Sequence, residues 1–186
     1  MLAVFPVSGG DIKRHSFPFI NITIIVACIA VFIYELFIGS PARTILFYRL
    51  GLIPAELTQH VDFKSLFTRA GTFNIASPIP NWATTITSLF FHSGWMHIAA
   101  NMLFLWIFGN NIEDRFGHIK YLLFYLASGV TAIWLHTVLN RTSEVPTIGA
   151  SGAIAGVLGA YLVLFPTSRI GTIITIFVIG FFRIPA

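Results

Sequence analysis

Charged residues and cysteine are scarce in this chain of 186 residues. Asp, Glu, Lys and Arg make up 10% of it, whereas a soluble globular domain carries about 25%. Hydrophobic residues reach 56%, and 19 residues are phenylalanine, so too few polar side chains exist to cover a water-soluble globule. The composition therefore excludes an ordinary soluble domain and indicates a protein whose solvent is lipid.

The lack of clustered charge and of a second cysteine excludes further classes of protein. The 11 Lys and Arg residues outnumber the 7 Asp and Glu residues, for a net charge of +4. They are scattered singly, however, and form no basic stripe of the kind that binds nucleic acid. We therefore expect no nucleic-acid partner. Cys28 is the only cysteine, which rules out an intramolecular disulfide and a cysteine cluster for zinc.

Five apolar segments approach the roughly 20 residues that a helix needs to cross a bilayer. Because backbone N–H and C=O groups in hydrocarbon must be satisfied within the segment, each is predicted to be a helix. The sequence thus predicts an all-α multi-pass membrane domain over residues 17–186, after a flank of residues 1–16. The predicted spans are residues 17–39, 95–112, 119–139, 148–165 and 170–186. The fifth span looks incomplete, since Ile170 to Phe182 would rise only about 20 Å as a helix.

A connection of residues 40–94 separates the first two predicted spans. A connection this long is usually functional or structured on its own. Within residues 56–69, apolar side chains alternate with charged ones, a pattern that suits a short helix lying in the membrane interface. We therefore expect a structured first loop that contains an interfacial helix.

Polar residues inside apolar spans are costly, so each one is a candidate site residue. His97 and Asn101 lie four residues apart on the second predicted helix, which places both on one face. Ser151 lies about one turn into the fourth predicted helix. Each also has a structural interpretation, because His and Asn can join transmembrane helices by hydrogen bonds. Ser151 likewise stands in a ridge of small residues that lets two helices approach closely.

Alternating span directions bring these three polar residues together. If successive spans alternate, the second and fourth helices begin on the same face of the membrane, so His97, Asn101 and Ser151 lie at similar depth. At a helix N-terminus the backbone N–H groups are unpaired and the dipole favours negative charge. A hydroxyl, an imidazole and an amide that converge beside such donors are what acyl-transfer chemistry requires.

Three segments of the chain carry recognisable motifs. Residues 149–152 read Gly-Ala-Ser-Gly, residues 92–101 contain two histidines and an asparagine, and residues 109–117 read Gly-Asn-Asn-Ile-Glu-Asp-Arg-Phe-Gly. In this order they resemble the segments around the nucleophile, along the second helix and at the inner end of that helix in the rhomboid family of intramembrane serine proteases. With the long first loop, the resemblance covers nearly the whole chain.

The resemblance implies roles for individual residues. Ser151 would be the nucleophile, and Asn101, His97 and the backbone N–H of Ser151 would form the oxyanion hole. The residues expected to be accessory to this site are His92, Gly149 and Gly152.

The resemblance also implies where this chemistry takes place. It implies a six-helix core, of which five spans lie in this chain, with an active site open to the outer face. It further implies a cytoplasmic N-terminus, a cell membrane (plasma or inner) as the location, and no metal or organic cofactor. The implied activity is a serine endopeptidase that uses a Ser-His dyad to cleave transmembrane or juxtamembrane segments of membrane proteins in the lipid bilayer.

Two features depart from the family pattern. Trp82 is followed by Ala83 rather than by the arginine that the family's first loop often carries. The dyad histidine is implied on the sixth helix, yet no histidine follows His136. A serine without its base is a poor nucleophile, so the chain as it stands is expected to be nearly inactive. His136, near the outer end of the third predicted helix, is a weaker candidate for the base.

Two other interpretations stay open at the level of sequence. A catalytically inactive rhomboid-like protein would bind transmembrane segments as a chaperone or adaptor. The missing base favours this interpretation, whereas the presence of Ser151, Asn101 and His97 favours the protease. A small transporter is disfavoured, because the chain has no charged ion site at mid-membrane and no inverted repeat.

Overall fold

The computed structural model describes residues 3–8, 15–69, 71–176 and 178–185. Helices dominate, and strands occur in the first loop and near the two ends of the chain. The helices are α1 (Phe19–Ile38), α2 (Ala42–Leu50), α3 (Pro54–Gln59), α4 (Thr84–Thr87), α5 (Trp95–Phe104), α6 (Asn110–Phe116), α7 (His118–Leu139) and α8 (Ser151–Leu164). The strands are β1 (Ala3–Ser8), β2 (Ser65–Thr68), β3 (Gly71–Asn74), β4 (Arg169–Ile176) and β5 (Val178–Pro185).

One stripe of α1 faces the interior of the helical bundle. The buried residues of this helix are Asn21, Ile24, Cys28, Phe32 and Glu35. Their spacing of three or four residues matches a helix of 3.6 residues per turn, so they lie along one face. The remaining faces carry exposed apolar side chains, as suits a helix in contact with lipid.

The second long helix is continuous but contains one wider turn. α5 passes through a π-helical turn at Leu105–Gly109 into α6, so the predicted span of residues 95–112 extends to Phe116. Such a turn disturbs the regular hydrogen bonding of the helix. Here the Leu105 carbonyl accepts a hydrogen bond from Asn21 Nδ2 at 2.8 Å, and this bond ties the turn to α1.

α7 and α8 pack closely because small residues line their contact. A Cβ added to Gly152 would stand 2.6 Å from Cβ of Ala132, and one added to Gly156 would stand 2.5 Å from Cβ of Ser128. Both distances are too short for real side chains, so only glycine permits this separation. The ridge of small residues seen in the sequence is therefore the face that α8 presents to α7.

A buried polar network joins α1 to the end of the second long helix. The Glu113 carboxylate accepts two backbone N–H groups at the start of α1, at 2.9 and 2.7 Å. Asn21 donates to Asn110 at 2.8 Å and accepts from the Tyr121 hydroxyl at 2.6 Å. Since unpaired backbone N–H groups at a helix start need partners, Glu113 gives residues 109–117 a structural role.

Two of the described helices, α1 and α7, are long and apolar enough to cross a membrane. α8 is apolar but has only 14 residues, or about 21 Å of helix. The second long helix is divided by its π-helical turn. Within the described residues, the five predicted spans are therefore not all matched by helices of spanning length.

The interfacial helix predicted within residues 56–69 is wrong. α3 ends at Gln59, and the next residue, His60, has a left-handed backbone with φ of 54°. β2 and β3 then pair as an antiparallel hairpin. Alternation of apolar and polar residues with period two is typical of a half-exposed strand rather than of a helix, and this explains the difference.

The fifth helix predicted for residues 170–186 is also wrong. The described backbone there forms two antiparallel strands, β4 and β5, and β4 also pairs with β1. Residues 170–182 are rich in Ile, Thr, Val and Phe and include two glycines. Branched and aromatic side chains favour strands, and glycine weakens helices. The pairing places the segment before α1 beside the segment after α8.

The α7–α8 contact predicts opposite effects for two glycine substitutions. Gly156→Ala should push the helices apart, because its Cβ collides with Ser128, and should lower stability by about 1–3 kcal/mol. Gly159→Ala is the matched control, since nothing lies within 4 Å of its added Cβ. Higher helix propensity should then raise stability by about 0.5–1 kcal/mol. Unfolding in detergent measures both, and equal stabilities would contradict the described packing.

Candidate active site

The first loop fixes the segment that leads into Ser151. Leu52 and Thr147 exchange two backbone hydrogen bonds of 3.2 and 2.7 Å. Gly149 N donates to Ser88 O at 2.8 Å. Gly149 has φ of 121°, which residues with a side chain rarely adopt, and Ser151 follows as the first residue of α8. The first loop thus sets where α8 begins.

The imidazole of His97 lies against Gly149. A Cβ added to Gly149 would stand 2.7 Å from both Cε1 and Nε2 of the ring, so only glycine leaves space for it. The Nε2 edge therefore faces the backbone two residues before Ser151. The structure brings His97 of α5 and the start of α8 together, as the argument from alternating spans predicted.

Ser93 determines which nitrogen of His97 carries the proton. Its backbone N–H donates to His97 Nδ1 at 3.4 Å, and its hydroxyl lies 3.1 Å from the same atom. A backbone N–H can only donate, so Nδ1 must accept. In the neutral ring the proton then belongs on Nε2, which makes the edge facing Gly149 a hydrogen-bond donor.

Asn101 lies one turn beyond His97 on the same face of α5. It is 7% exposed, and its Nδ2 group has no hydrogen-bond partner among the described residues. Leaving such a buried group unpaired costs about 1–3 kcal/mol, so an unpaired amide requires an explanation. It is a donor that a bound group could use.

A pocket of about 630 Å³ opens beside His97, and neither Asn101 nor Ser151 is among its lining residues. Tyr48 of α2, Ser93, His97, His136 of α7 and Thr147 are among the residues that line it. Ser151 itself is exposed. The exposed Ser151 thus follows three residues after Ile148, which lines the pocket together with His97.

The geometry does not give Ser151 a base. His136 lines the pocket, but its Nδ1 lies 3.5 Å from Asn140 Nδ2 on its own helix. Among the described residues of 15–69 and 71–168, no hydrogen bond joins the Ser151 hydroxyl to His136 or to another histidine. Gly152, which we expected to be accessory, lies against α7 and serves the packing of the helices.

His92 is buried behind His97, with the two ring centroids 5.1 Å apart. Its Nδ1 lies 3.2 Å from the Phe90 carbonyl, and its Nε2 has no partner among the described residues. Burial, and then the neighbouring His97, lowers the pKa of His92 to about 4. The ring is thus neutral at pH 7 and packs against the site without adding a charge to it.

Sequence reasoning missed the residues that hold residues 92–93 in place. Arg43 Nη2 donates to the carbonyls of His92 and Ser93, and Glu35 Oε1 accepts the backbone N–H of His92. Ser93 could have been found, since it stands four residues before His97. No sequence pattern points to Arg43, because its partners are backbone carbonyls 49 and 50 residues away.

These features define a helical membrane protein with an exposed serine at a helix N-terminus beside a histidine and an asparagine. Residues 80–184 match the family model of the rhomboid domain, which is more than half of the chain. The chain therefore belongs to the rhomboid family, whose members are integral membrane proteins.

Several named proteins are similar to this chain. Rhomboid protease GluP of Bacillus subtilis is 32% identical over 151 residues, which cover 76% of this chain and 29% of that protein. RHOMBOID-like protein 1 of Arabidopsis thaliana is 30% identical over 156 residues, covering 78% and 39%. The mitochondrial presenilin-associated rhomboid-like protein of Bos taurus is 34% identical over 90 residues, covering 47% and 24%. The chain thus spans well under half the length of these relatives.

Acidification is predicted to destabilise the protein through His92. In the folded protein the His92 ring has a pKa of about 4 and stays unprotonated above it. A histidine in the unfolded chain has a pKa near 6.5. The stability contributed by the neutral ring is therefore complete above pH 6.5 and is lost as the pH falls towards 4. His92→Gln should flatten stability over this window in detergent unfolding measured at several pH values. Identical slopes for the two proteins would contradict the assignment.

Proposed function

We propose that the chain belongs to an intramembrane serine endopeptidase that cleaves membrane proteins in or near their transmembrane segments. The observation that carries the proposal is the contact of the His97 ring with Gly149, beside the unpaired amide of Asn101. This contact supports the proposal because it brings the His97 ring close to the N-terminus of the helix that begins with Ser151, and Asn101 follows one turn further along α5.

The chemistry follows from these positions. The Ser151 hydroxyl attacks the carbonyl carbon of the scissile peptide bond while its proton passes to a base. The charge on the carbonyl oxygen is stabilised by His97 Nε2–H, the Asn101 amide and the backbone N–H of Ser151. The base returns the proton to the leaving amine, and water then hydrolyses the acyl-enzyme. The resemblance implies a histidine of a sixth helix as this base.

The surroundings of the site suit a substrate that enters from lipid. The faces of α1 and α7 that point away from the bundle carry large apolar side chains, and the pocket opens at one end of these helices. A transmembrane segment that unwinds near this end could present an extended peptide bond to Ser151. The proposal includes a location in a cell membrane, with the N-terminus in the cytoplasm.

The proposal predicts the effect of two substitutions in the full-length protein. Ser151→Ala should abolish cleavage of a transmembrane substrate in liposomes, because the nucleophile is lost. Asn101→Ala should lower kcat about a hundred- to a thousand-fold, as removal of an oxyanion donor does in soluble proteases.

The matched control is Ser168→Ala, a serine beyond the opposite end of α8 whose hydroxyl bonds to Tyr161. The Ser168→Ala variant should cleave at the wild-type rate. Cleavage by the Ser151→Ala variant would refute the proposal that the protein is a serine protease with Ser151 as its nucleophile. A full-length protein that binds the transmembrane segment without cleaving it would support the inactive rhomboid-like binding protein instead.

A further inference from the structure

Arg43 of α2 connects the first loop to the backbone just before α5. Its Nη2 donates to the carbonyl of Ser93 at 2.7 Å and to that of His92 at 3.1 Å. Its Nε lies 3.6 Å from Glu35 Oε2. One guanidinium thus spans the end of α1 and two successive peptide groups, an arrangement that a planar fork of donors can make.

Aromatic rings fix the guanidinium in this position. Its central carbon lies 5.8 Å from the centroid of Phe32 on α1 and 5.2 Å from that of Phe47 on α2. Both distances are within the range of cation–π attraction. The side chain of Arg43 is 24% exposed, so it is largely ordered between the two helices rather than free in solvent.

Glu35 holds the same peptide segment from the other side. Its side chain is fully buried, and its Oε1 accepts the backbone N–H of His92 at 3.2 Å. The N–H of residue 92 and the carbonyls of residues 92 and 93 are thus all bound by one ion pair. An isolated loop would leave these groups free to rotate.

This segment controls the imidazole of His97. The backbone N–H of Ser93 is the donor that makes His97 Nδ1 an acceptor, and the bond is long, at 3.4 Å. A small rotation of the peptide would therefore break it. Without this donor, the Ser93 hydroxyl, 3.1 Å from Nδ1, could either donate to that nitrogen or accept from it. Either nitrogen could then carry the proton, and one of the two tautomers would offer a lone pair where the site needs a donor.

We propose that Arg43 is a positioning residue that fixes the proton of His97 on Nε2, acting through the backbone of residues 92 and 93. Glu35 holds Arg43 in place for this purpose. The proposal rests on the proposed function only in the use made of the Nε2 proton, namely the stabilisation of an oxyanion. The link from Arg43 to the ring itself is a property of the folded chain.

Nitrogen-15 NMR of protein labelled at histidine tests the link without any catalytic readout. Protonated and unprotonated imidazole nitrogens give widely separated signals, and the His97 pair is assigned by its loss in His97→Gln. The wild-type protein in detergent at neutral pH should show one tautomer, with the proton on Nε2. Arg43→Lys keeps the charge but loses the fork of donors, and should show a mixture of tautomers.

Two further variants keep this test decisive. Arg49→Lys is the matched control on the same helix, because Arg49 bonds to the Ala76 carbonyl instead; it should leave the His97 signals unchanged. Arg43→Gln serves if the lysine variant does not fold: its amide nitrogen ends near the position of the guanidinium Nε, short of the two carbonyls that Nη2 binds, and it should show the same mixture of tautomers. An unchanged single tautomer in a folded Arg43 variant would overturn the proposal.

Kinetics of the full-length protein separate this proposal from the proposed function. Arg43→Lys should lower kcat about tenfold with KM unchanged, less than the hundred- to thousand-fold loss when an oxyanion donor is removed outright. A raised KM with unchanged kcat would contradict positioning of His97. If the Ser151→Ala variant still cleaves while Arg43→Lys shows the mixture of His97 tautomers, the proposed protease function is refuted and the positioning role of Arg43 is retained.

Discussion

The close contact between α7 and α8 is the packing interaction on which the position of Ser151 depends. α8 can lie this near to α7 only because Gly152 and Gly156 present no side chain to it. Dispersion between closely packed backbones, rather than burial from water, holds helices together in lipid. The same contact holds the N-terminus of α8 beside α5, where the His97 ring fills the space that a side chain at residue 149 would occupy.

Two buried asparagines show how the bundle separates structure from chemistry. Asn21 has its amide and its carbonyl oxygen fully engaged with α6, α7 and the π-helical turn. Asn101, which is also buried, keeps an unpaired Nδ2. Because an unpaired polar group in a region of low dielectric is destabilising, the fully bonded side chain of Asn21 stabilises the fold. In the proposed function, the unpaired Nδ2 of Asn101 would donate to a bound oxyanion.

The sequence predicted the parts of the structure that depend on local periodicity. The four-residue spacing of His97 and Asn101 placed them on one face, and the apolar runs located α1, α7 and α8 within a few residues. The hairpin of residues 65–74 and the strands after α8 were missed, because short apolar runs fit strand and helix alike. The bonds from Arg43 to the backbone of residues 92 and 93 depend on tertiary contacts that no local pattern records.

The most direct test of the account is covalent labelling of the full-length protein in its membrane with a serine-directed phosphonate, followed by peptide mass spectrometry. We expect one modified residue, Ser151, with labelling that slows sharply in Asn101→Ala because the phosphoryl oxygen would occupy the proposed oxyanion hole. Labelling of a different residue would contradict the assignment of Ser151 as the nucleophile. A protein that cleaves its substrate while Ser151 stays unmodified would also contradict this assignment.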